Sequence, residues 1–429
     1  MGFLSGTSLI PAPHKGFYGW RMVVFASIAL ALTGPGQTFG VSVFVNPMIE
    51  ELGISRTQMS ASYLIGTLVG ALALPWIGQA IDRFGVRRTM AIIGFLFGGM
   101  LIGMSLVTNV IGMTAGFVGI RMMGQGALSL VATTAVALWF SRKRGLAMGI
   151  VSAAGGVGMT LVPLAGERLI FDLGWRSAWV VEGLIVWAFV VPIALLAIRN
   201  RPSDIGQHVD GDKEPPTDEP EVWGVTRKEA LRTGFFWIIT AAVAAIAALT
   251  TAVVFHQIDL LGSRGLTPTE AAANFIPQTV ATLIATLAIG ALADRISPRA
   301  VLIISMAMMA GGLFLGTVAS PGLLAISFGM LIGASGGAIR VVEATELPRY
   351  FGTLHIGAIR GVVTSIGIAG AAVGPLIFSI GHDITGDYTA VLLMTLSIPA
   401  AVILGSIFVR LPQHTRPDAL GEAHLVHEA

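Results

Sequence analysis

Cysteine is absent from the 429 residues. Its absence excludes disulfides, cysteine-ligated zinc and thiol catalysis, and leaves the compartment open. Charge is scarce too: Asp, Glu, Lys and Arg make up 12% of the chain, about half of the roughly 25% usual in soluble domains. A soluble protein of this size needs a hydrated surface, so most of this surface must face something apolar. The net charge of +2 offers no basic excess for nucleic acid. There is no Gly-x-x-x-x-Gly-Lys nucleotide loop, which argues against direct ATP drive. No metal-ligand cluster and no catalytic constellation is evident, so neither a cofactor nor an enzyme is expected.

What the chain does have is hydrophobic residues, at 54%, and 54 glycines. Glycine at this level suits close helix packing in lipid. A membrane-crossing helix needs about 20 mostly apolar residues. Twelve such segments are predicted, at about 20–45, 58–80, 89–107, 110–139, 145–166, 176–198, 233–261, 268–292, 299–319, 322–348, 356–381 and 388–409. The first run is too long for a signal-peptide core and reads as a retained span. The expected fold is an all-α integral membrane protein. It divides into a six-helix half at 1–198, a polar Pro-containing cytoplasmic linker at 199–232, and a second six-helix half at 233–429 with a short cytoplasmic tail.

Orientation follows from Lys and Arg, which concentrate in cytoplasmic loops. With the N-terminus inside, inner segments hold 20 of the 26 basic residues. Arg56, Arg168, Arg176 and Arg264 fall outside, and Arg121 and Arg340 fall within spans. A multi-pass protein of the cell (inner) membrane with both termini cytoplasmic is expected.

The halves repeat at an offset of 212 residues: Gly78 pairs with Gly290, Asp82 with Asp294, Arg83 with Arg295, Arg87 with Arg299 and Pro163 with Pro375. Two parallel halves that rock about a midplane site make a transporter. The loop Gly78-Gln-Ala-Ile-Asp82-Arg83-Phe84-Gly85-Val86-Arg87-Arg88 and its partial echo Gly290-Ala-Leu-Ala-Asp294-Arg295 resemble the loop signature of the major facilitator superfamily. In that reading Gly78 permits close helix approach, and Asp82, Arg83, Arg87, Asp294 and Arg295 serve conformational switching. Phe17-Tyr18-Gly19-Trp20 and Trp139-Phe140-Ser141-Arg142-Lys143-Arg144-Gly145-Leu146-Ala147-Met148-Gly149 resemble the two signatures of the monocarboxylate porters, which include oxalate/formate exchangers. The resemblance implies a secondary-active transporter of small organic anions, mono- or dicarboxylates. Transport would run by alternating access, as proton symport or as exchange for a counter-anion. The alternative is proton-coupled export of amphipathic cations or drugs, which an unpaired acid among Glu343 and Glu346 would serve.

Ionisable residues inside spans are costly and usually face a polar cavity. Arg340 lies near the middle of span 10 with Glu343 at i+3, either as a substrate contact or as an internal pair. Arg121 lies in a span-4 motif similar to the superfamily's. With Asn274 and Gln278, one turn apart in span 8, and Tyr63, these two arginines are the candidate substrate-binding residues. Span 8 carries no basic residue before Arg295, unlike many monocarboxylate porters. Glu343, His256 and Asp259 are the candidate proton-coupling groups, and Glu182 reads as interfacial.

The orientation is testable with single cysteines at Ser203 and Ser320. A membrane-impermeant reagent added to intact cells is expected to label position 320 and spare 203. Labelling of 203 from outside reverses the topology.

Overall fold

The computed structural model describes residues 16–211, 224–292, 296–352 and 355–409. Its regular elements are helices, with one isolated bridge between Gly224 and Gly352. The principal helices are α1 (Gly19–Ala31), α2 (Arg56–Leu72) and α3 (Leu74–Met104); α4 (Val110–Ala137), α5 (Arg144–Leu173) and α6 (Trp175–Ala197); α7 (Gly234–Gly262), α8 (Pro268–Leu292) and α9 (Pro298–Thr317); and α10 (Leu323–Phe351), α11 (Ile356–Thr385) and α12 (Tyr388–Phe408). Among the described residues ten helices, falling in α3 to α12, are long and apolar enough to cross a membrane.

The first expected span is discontinuous. Helix α1 ends at Ala31, and Gly34-Pro35-Gly36 forms a tight 3-10 turn before a short helix resumes at Thr38. Proline removes a backbone donor and the glycines have no side chain to hold the helix together. The gain is proximity: a Cβ at Gly36 would stand 2.6 Å from the Ile120 carbonyl of α4. Helix α2 runs for 17 residues and continues through Ala73 into the start of α3. Helix α3 is itself two helices joined at Gly85, whose φ of 79° and ψ of 160° mark the turn between spans 2 and 3. An L side chain rarely adopts that backbone, and a Cβ there would meet Asn200 at 2.5 Å.

The repeat survives in three dimensions. Helices α5 and α11 are both 30 residues long, and both their ends are 212 residues apart. The capping boxes Ser55/Gln58 of α2 and Thr267/Glu270 of α8 share that offset. Each satisfies helix-terminal N–H groups that have no intrahelical partner. Packing repeats too: Gly155 and Gly158 set α5 against Leu30 and Ala31 of α1, and Gly370 and Gly374 set α11 against the Ala244 and Ala248 carbonyls of α7. In α10, Gly329, Gly333 and Gly337 lie against Asn274, Gln278 and Thr282 of α8. Lipid gives helices no hydrophobic reason to associate, so such close backbone contact supplies the packing energy.

At the end of the bundle rich in basic loops, hereafter the basic end, the two porter-like signatures meet. Phe17 packs edge-on to Phe140 at 5.4 Å, and Tyr18 lies 5.7 Å from Trp139. The Tyr18 hydroxyl donates to the Ala197 carbonyl at 2.8 Å. Residues 202–211 close over this cluster. The buried Asp210 accepts from the backbone N–H groups of Ser141, Arg142 and Lys143 at 3.1, 2.8 and 3.2 Å, at the head of α5. Burial pushes its carboxyl up. The three donors and the Arg142 charge outweigh burial and hold it below its ordinary value of 3.8. The stability it contributes is present above that value and lost as pH falls through the lowered one. Val225 donates to the Phe351 carbonyl of the second half at 2.9 Å.

Glycine positions with and without a neighbour should part in stability. Gly333→Ala would place a methyl against the Gln278 carbonyl, where it is expected to cost about 1–3 kcal/mol as overpacking. Gly361→Ala meets nothing within 4 Å and is expected to be neutral, or stabilising by up to about 1 kcal/mol. Thermal unfolding in detergent checks the pair.

Candidate functional site

Between the halves lies a cavity of about 340 Å³, lined among others by Thr38, Gln125, Thr250, Thr251, Arg340 and Glu343. Its apolar wall comes from Val243, Ile246, Ala247 and Val254 of α7, with Phe39 and Ile339. A larger cavity of about 480 Å³ lies between α8 and α10, on a face with exposed Ile276, Val280, Ile326 and Met330. It holds Glu270 and Asn274 but no cation, and it does not lie between the halves. Size alone would choose it; charge and placement choose the smaller one.

Arg340 is exposed in the central cavity and has no hydrogen bond or ion pair among the described residues. Of the two alternatives for Arg340, the internal pair with Glu343 is not formed in this structure. Glu343 instead stands 3.7 Å from Arg360 at the start of α11. With Glu343 closer to Arg360, Arg340 is a permanent charge that feels Glu343 across the cavity but forms no ion pair among the described residues.

Arg121 is the opposite case. Only 2% exposed, it donates to the Thr67 hydroxyl at 3.0 Å and to the Gly36 carbonyl at 3.1 Å. It also lies over the Tyr63 ring at 4.5 Å. It begins a π-helical stretch, Arg121–Leu128, of a kind often found at functional sites. It borders a smaller cavity of about 120 Å³ with Thr67 and Gln125. Gln125 lines both cavities, a role that its sequence motif did not suggest.

The other candidates lie elsewhere. Tyr63 is fully buried and shares a 2.6 Å hydrogen bond with Thr38. Asn274 donates to the Ala325 carbonyl at 2.7 Å, and the Gln278 backbone is pressed against Gly333. The Asn274 side chain and the Gln278 backbone belong to the α8–α10 contact, and neither residue lines the central cavity. His256 and Asp259 are at the end opposite the basic loops. His256 is 1% exposed, and its Nε2 stands 3.0 Å from the Pro375 carbonyl. Asp259 pairs with Arg56 of the first half at 3.1 Å and accepts from Asn46 at 3.3 Å. Thr57 donates to Asp383 at 2.5 Å close by. Arg56, Asp383 and Tyr388 were not sequence candidates; they are ordinary polar loop-edge residues whose partners are hundreds of positions away. Glu182, read as interfacial, is buried, and its Oε2 lacks a partner among the described residues.

Of the switching residues, Asp82 is exposed, with no hydrogen bond or ion pair among the described residues. Arg83 lies over Phe84 at 5.3 Å. Arg87 donates from its backbone to Asn200 at 3.1 Å and from Nη2 to the Leu195 carbonyl at 2.6 Å. Gly78 makes no close helix contact: a Cβ there, as at Gly290, would meet nothing within 4 Å. The close helix approach expected of it is thus not made in this conformation, where the space beside it is open. Asp294 and Arg295 lie outside the described residues.

An all-helical repeat with a polar cavity on its seam is the architecture of a membrane transporter. Residues 22–262 match the Major Facilitator Superfamily, and the chain belongs to that family. It is thus a multi-pass membrane transporter and not an enzyme. It is 28% identical over 391 residues to monocarboxylate transporter 13 of Bos taurus, covering 88% of this chain and 86% of that protein. It is 26% identical over 230 residues to the oxalate:formate antiporter of Oxalobacter formigenes, covering 52% and 51%. In fold it resembles a bacterial homologue of the human lysosomal transporter Spinster in an inward-facing and occupied conformation. The TM-score is 0.71 at 15% identity, over 94% of this chain and all of that one.

Asp82 is exposed near the turn between spans 2 and 3 and does not line the central cavity. Asp82→Asn is expected to slow transport several-fold while leaving equilibrium affinity within about threefold, since loss of one exposed carboxylate costs about 0–1 kcal/mol. A folded variant that has lost binding would contradict that division of roles.

Proposed function

We propose that this chain moves small organic anions, mono- or dicarboxylates, across the cell (inner) membrane by alternating access. The movement is coupled to a proton or exchanged for another anion. The observation that carries this reading is Arg340, a fixed cation exposed in the seam cavity with no hydrogen bond or ion pair among the described residues. An unpaired guanidinium in a membrane is costly and persists where an anion or water meets it. Its planar fork suits a carboxylate in two-point contact. Thr250, Thr251 and Gln125 offer polar contacts beside it, and the α7 wall suits an apolar body. Arg121 has a structural role first, and reaches substrate only from the smaller cavity behind Gln125.

In this reading Glu343, His256 and Asp259 are the proton-coupling groups. A proton on Glu343 would loosen its attraction to Arg360 and remove an acid from the cavity wall. Residues 1–198 and 233–429 are the rocking halves and 199–232 the cytoplasmic linker, with both termini on the linker's side. The relatives named for monocarboxylate transport and oxalate:formate exchange support the substrate class.

The test is carboxylate affinity of purified variants, read as ligand-induced thermal stabilisation. Arg340→Lys keeps the charge but not the fork and should retain weak binding. Arg340→Gln should weaken binding by roughly 10- to 100-fold, the worth of a charge-assisted hydrogen bond. A folded Arg340→Gln protein that binds as tightly as the parent ends the assignment.

A further inference from the structure

The end opposite the basic loops carries a continuous polar chain that crosses the seam twice. Ser60 of α2 and Ser379 of α11 share a hydrogen bond of 2.5 Å. Ser379 donates to the Pro375 carbonyl at 3.0 Å, and its oxygen stands 3.3 Å from His256 Nε2. On the other side of the ring, His256 Nδ1 is 3.4 Å from the Tyr388 hydroxyl. That hydroxyl donates to Asp259 Oδ2 at 2.8 Å, and Asp259 returns across the seam to Arg56 and Asn46.

Counting protons sorts these contacts. A carbonyl has none to give, so the Nε2 that meets Pro375 carries the hydrogen of the neutral ring. Nδ1 is then a bare lone pair. It faces Tyr388, whose one proton is already directed at Asp259. The ring therefore has one vacant basic atom, and the tyrosine oxygen beside it has lone pairs ready to accept. Facing this atom are Arg56 from α2, Asp259 on its own helix, His382 and Asp383 of α11, and Tyr388 at the start of α12. His382 stands 4.0 Å from Asp383, and its ring lies tilted against Tyr388 with centroids 4.5 Å apart. The nearest acid, Asp259, is already held by Arg56.

We propose that His256 Nδ1 is a proton-binding site governing the closure of this end, and that Tyr388 is the positioning residue that links the protonated ring to Asp259 through its hydroxyl. The inference rests on the reading that His256 and Asp259 serve proton coupling, and it names how. A proton from water forms one N–H bond at Nδ1 and breaks none in the protein. The new N–H donates to the Tyr388 oxygen while Tyr388 keeps its own proton on Asp259, so the relay to that carboxylate strengthens. The imidazolium also repels Arg56. Arg56 belongs to the first half and Asp259 to the second, so the contact that weakens is one that holds the halves together. The linkage is reciprocal: when Arg56 leaves, a positive charge leaves with it and His256 becomes the better base.

The chain has no native cysteine, so spin labels can be placed at Glu50 and Ser263, exposed positions on either half at this end. Their separation is read by pulsed electron paramagnetic resonance, without any anion, at about pH 8 and about pH 5, on either side of the ordinary histidine range. The expected result is a shift of the open-to-closed ratio toward open at low pH of about 5- to 150-fold. His256→Gln should lose most of that shift. Tyr388→Phe, which keeps the ring on His256 and His382 but removes the hydroxyl, should lose it as well. Arg56→Gln should be open at both pH values. A parent protein whose distances do not change with pH overturns the proposal. So does a His256→Gln protein that opens as the parent does, as titration of Asp259 alone would produce. A Tyr388→Phe protein with the full response overturns the role given to Tyr388. Because no anion is present, these outcomes do not depend on Arg340, whose carboxylate affinity stands or fails on its own titration.

Discussion

A helix that breaks inside a membrane frees carbonyls that lipid cannot satisfy. Here Arg121 meets that need for the Gly34-Pro35-Gly36 turn, donating to the Gly36 carbonyl while the Thr67 hydroxyl and the Tyr63 face hold the rest of the guanidinium. The same contact ties the resumed helix at Thr38 to α2 and α4, because Tyr63 is also hydrogen-bonded to Thr38. Thr38 and Phe39 reach the central cavity from this anchored segment. The first-half wall of the site thus depends on one buried arginine.

That use of Arg121 separates it from Arg340. Both are arginines in the middle of predicted spans, and both carry the same charge. One is fully coordinated by its own half, so its charge is spent on structure. The other projects into the seam with its nearest acid engaged by Arg360. A cavity with a cation free of any ion pair among the described residues and a long apolar wall would discriminate by charge at one point and by shape elsewhere, which is how most small-molecule sites divide their work.

The seam is not symmetric along its length. At one end it is held by Arg56–Asp259, Thr57–Asp383 and Ser60–Ser379. Toward the other, Gly78 and Gly290 face open space. In the proposed cycle, rocking of the halves would exchange these conditions. The contacts suit the task, being polar and few, so they can be traded for water at small net cost. The glycine-on-carbonyl packing within each half is instead dense and keeps each half rigid as it moves.

Run lengths, scarce charge, the basic loops and the 212-residue repeat were enough to read the all-helical membrane fold, because the bilayer constrains element length and composition so tightly. The same reading placed Arg340 in a cavity-facing span, since a lone charge there has few other uses. It ranked Arg340 ahead of Arg121 while keeping both as substrate contacts, and it put Asn274 and Gln278 in the site. Periodicity says that two residues share a helix face but not which neighbour that face meets; theirs meets α10. It also divided span 1 too smoothly and gave Gly78 a contact that this conformation does not make. The Ser60–Ser379–His256–Tyr388–Asp259–Arg56 chain was illegible beyond its two candidates, His256 and Asp259. Its members come from four helices of two halves, and only the packing of one half against the other brings their few polar atoms within hydrogen-bond range.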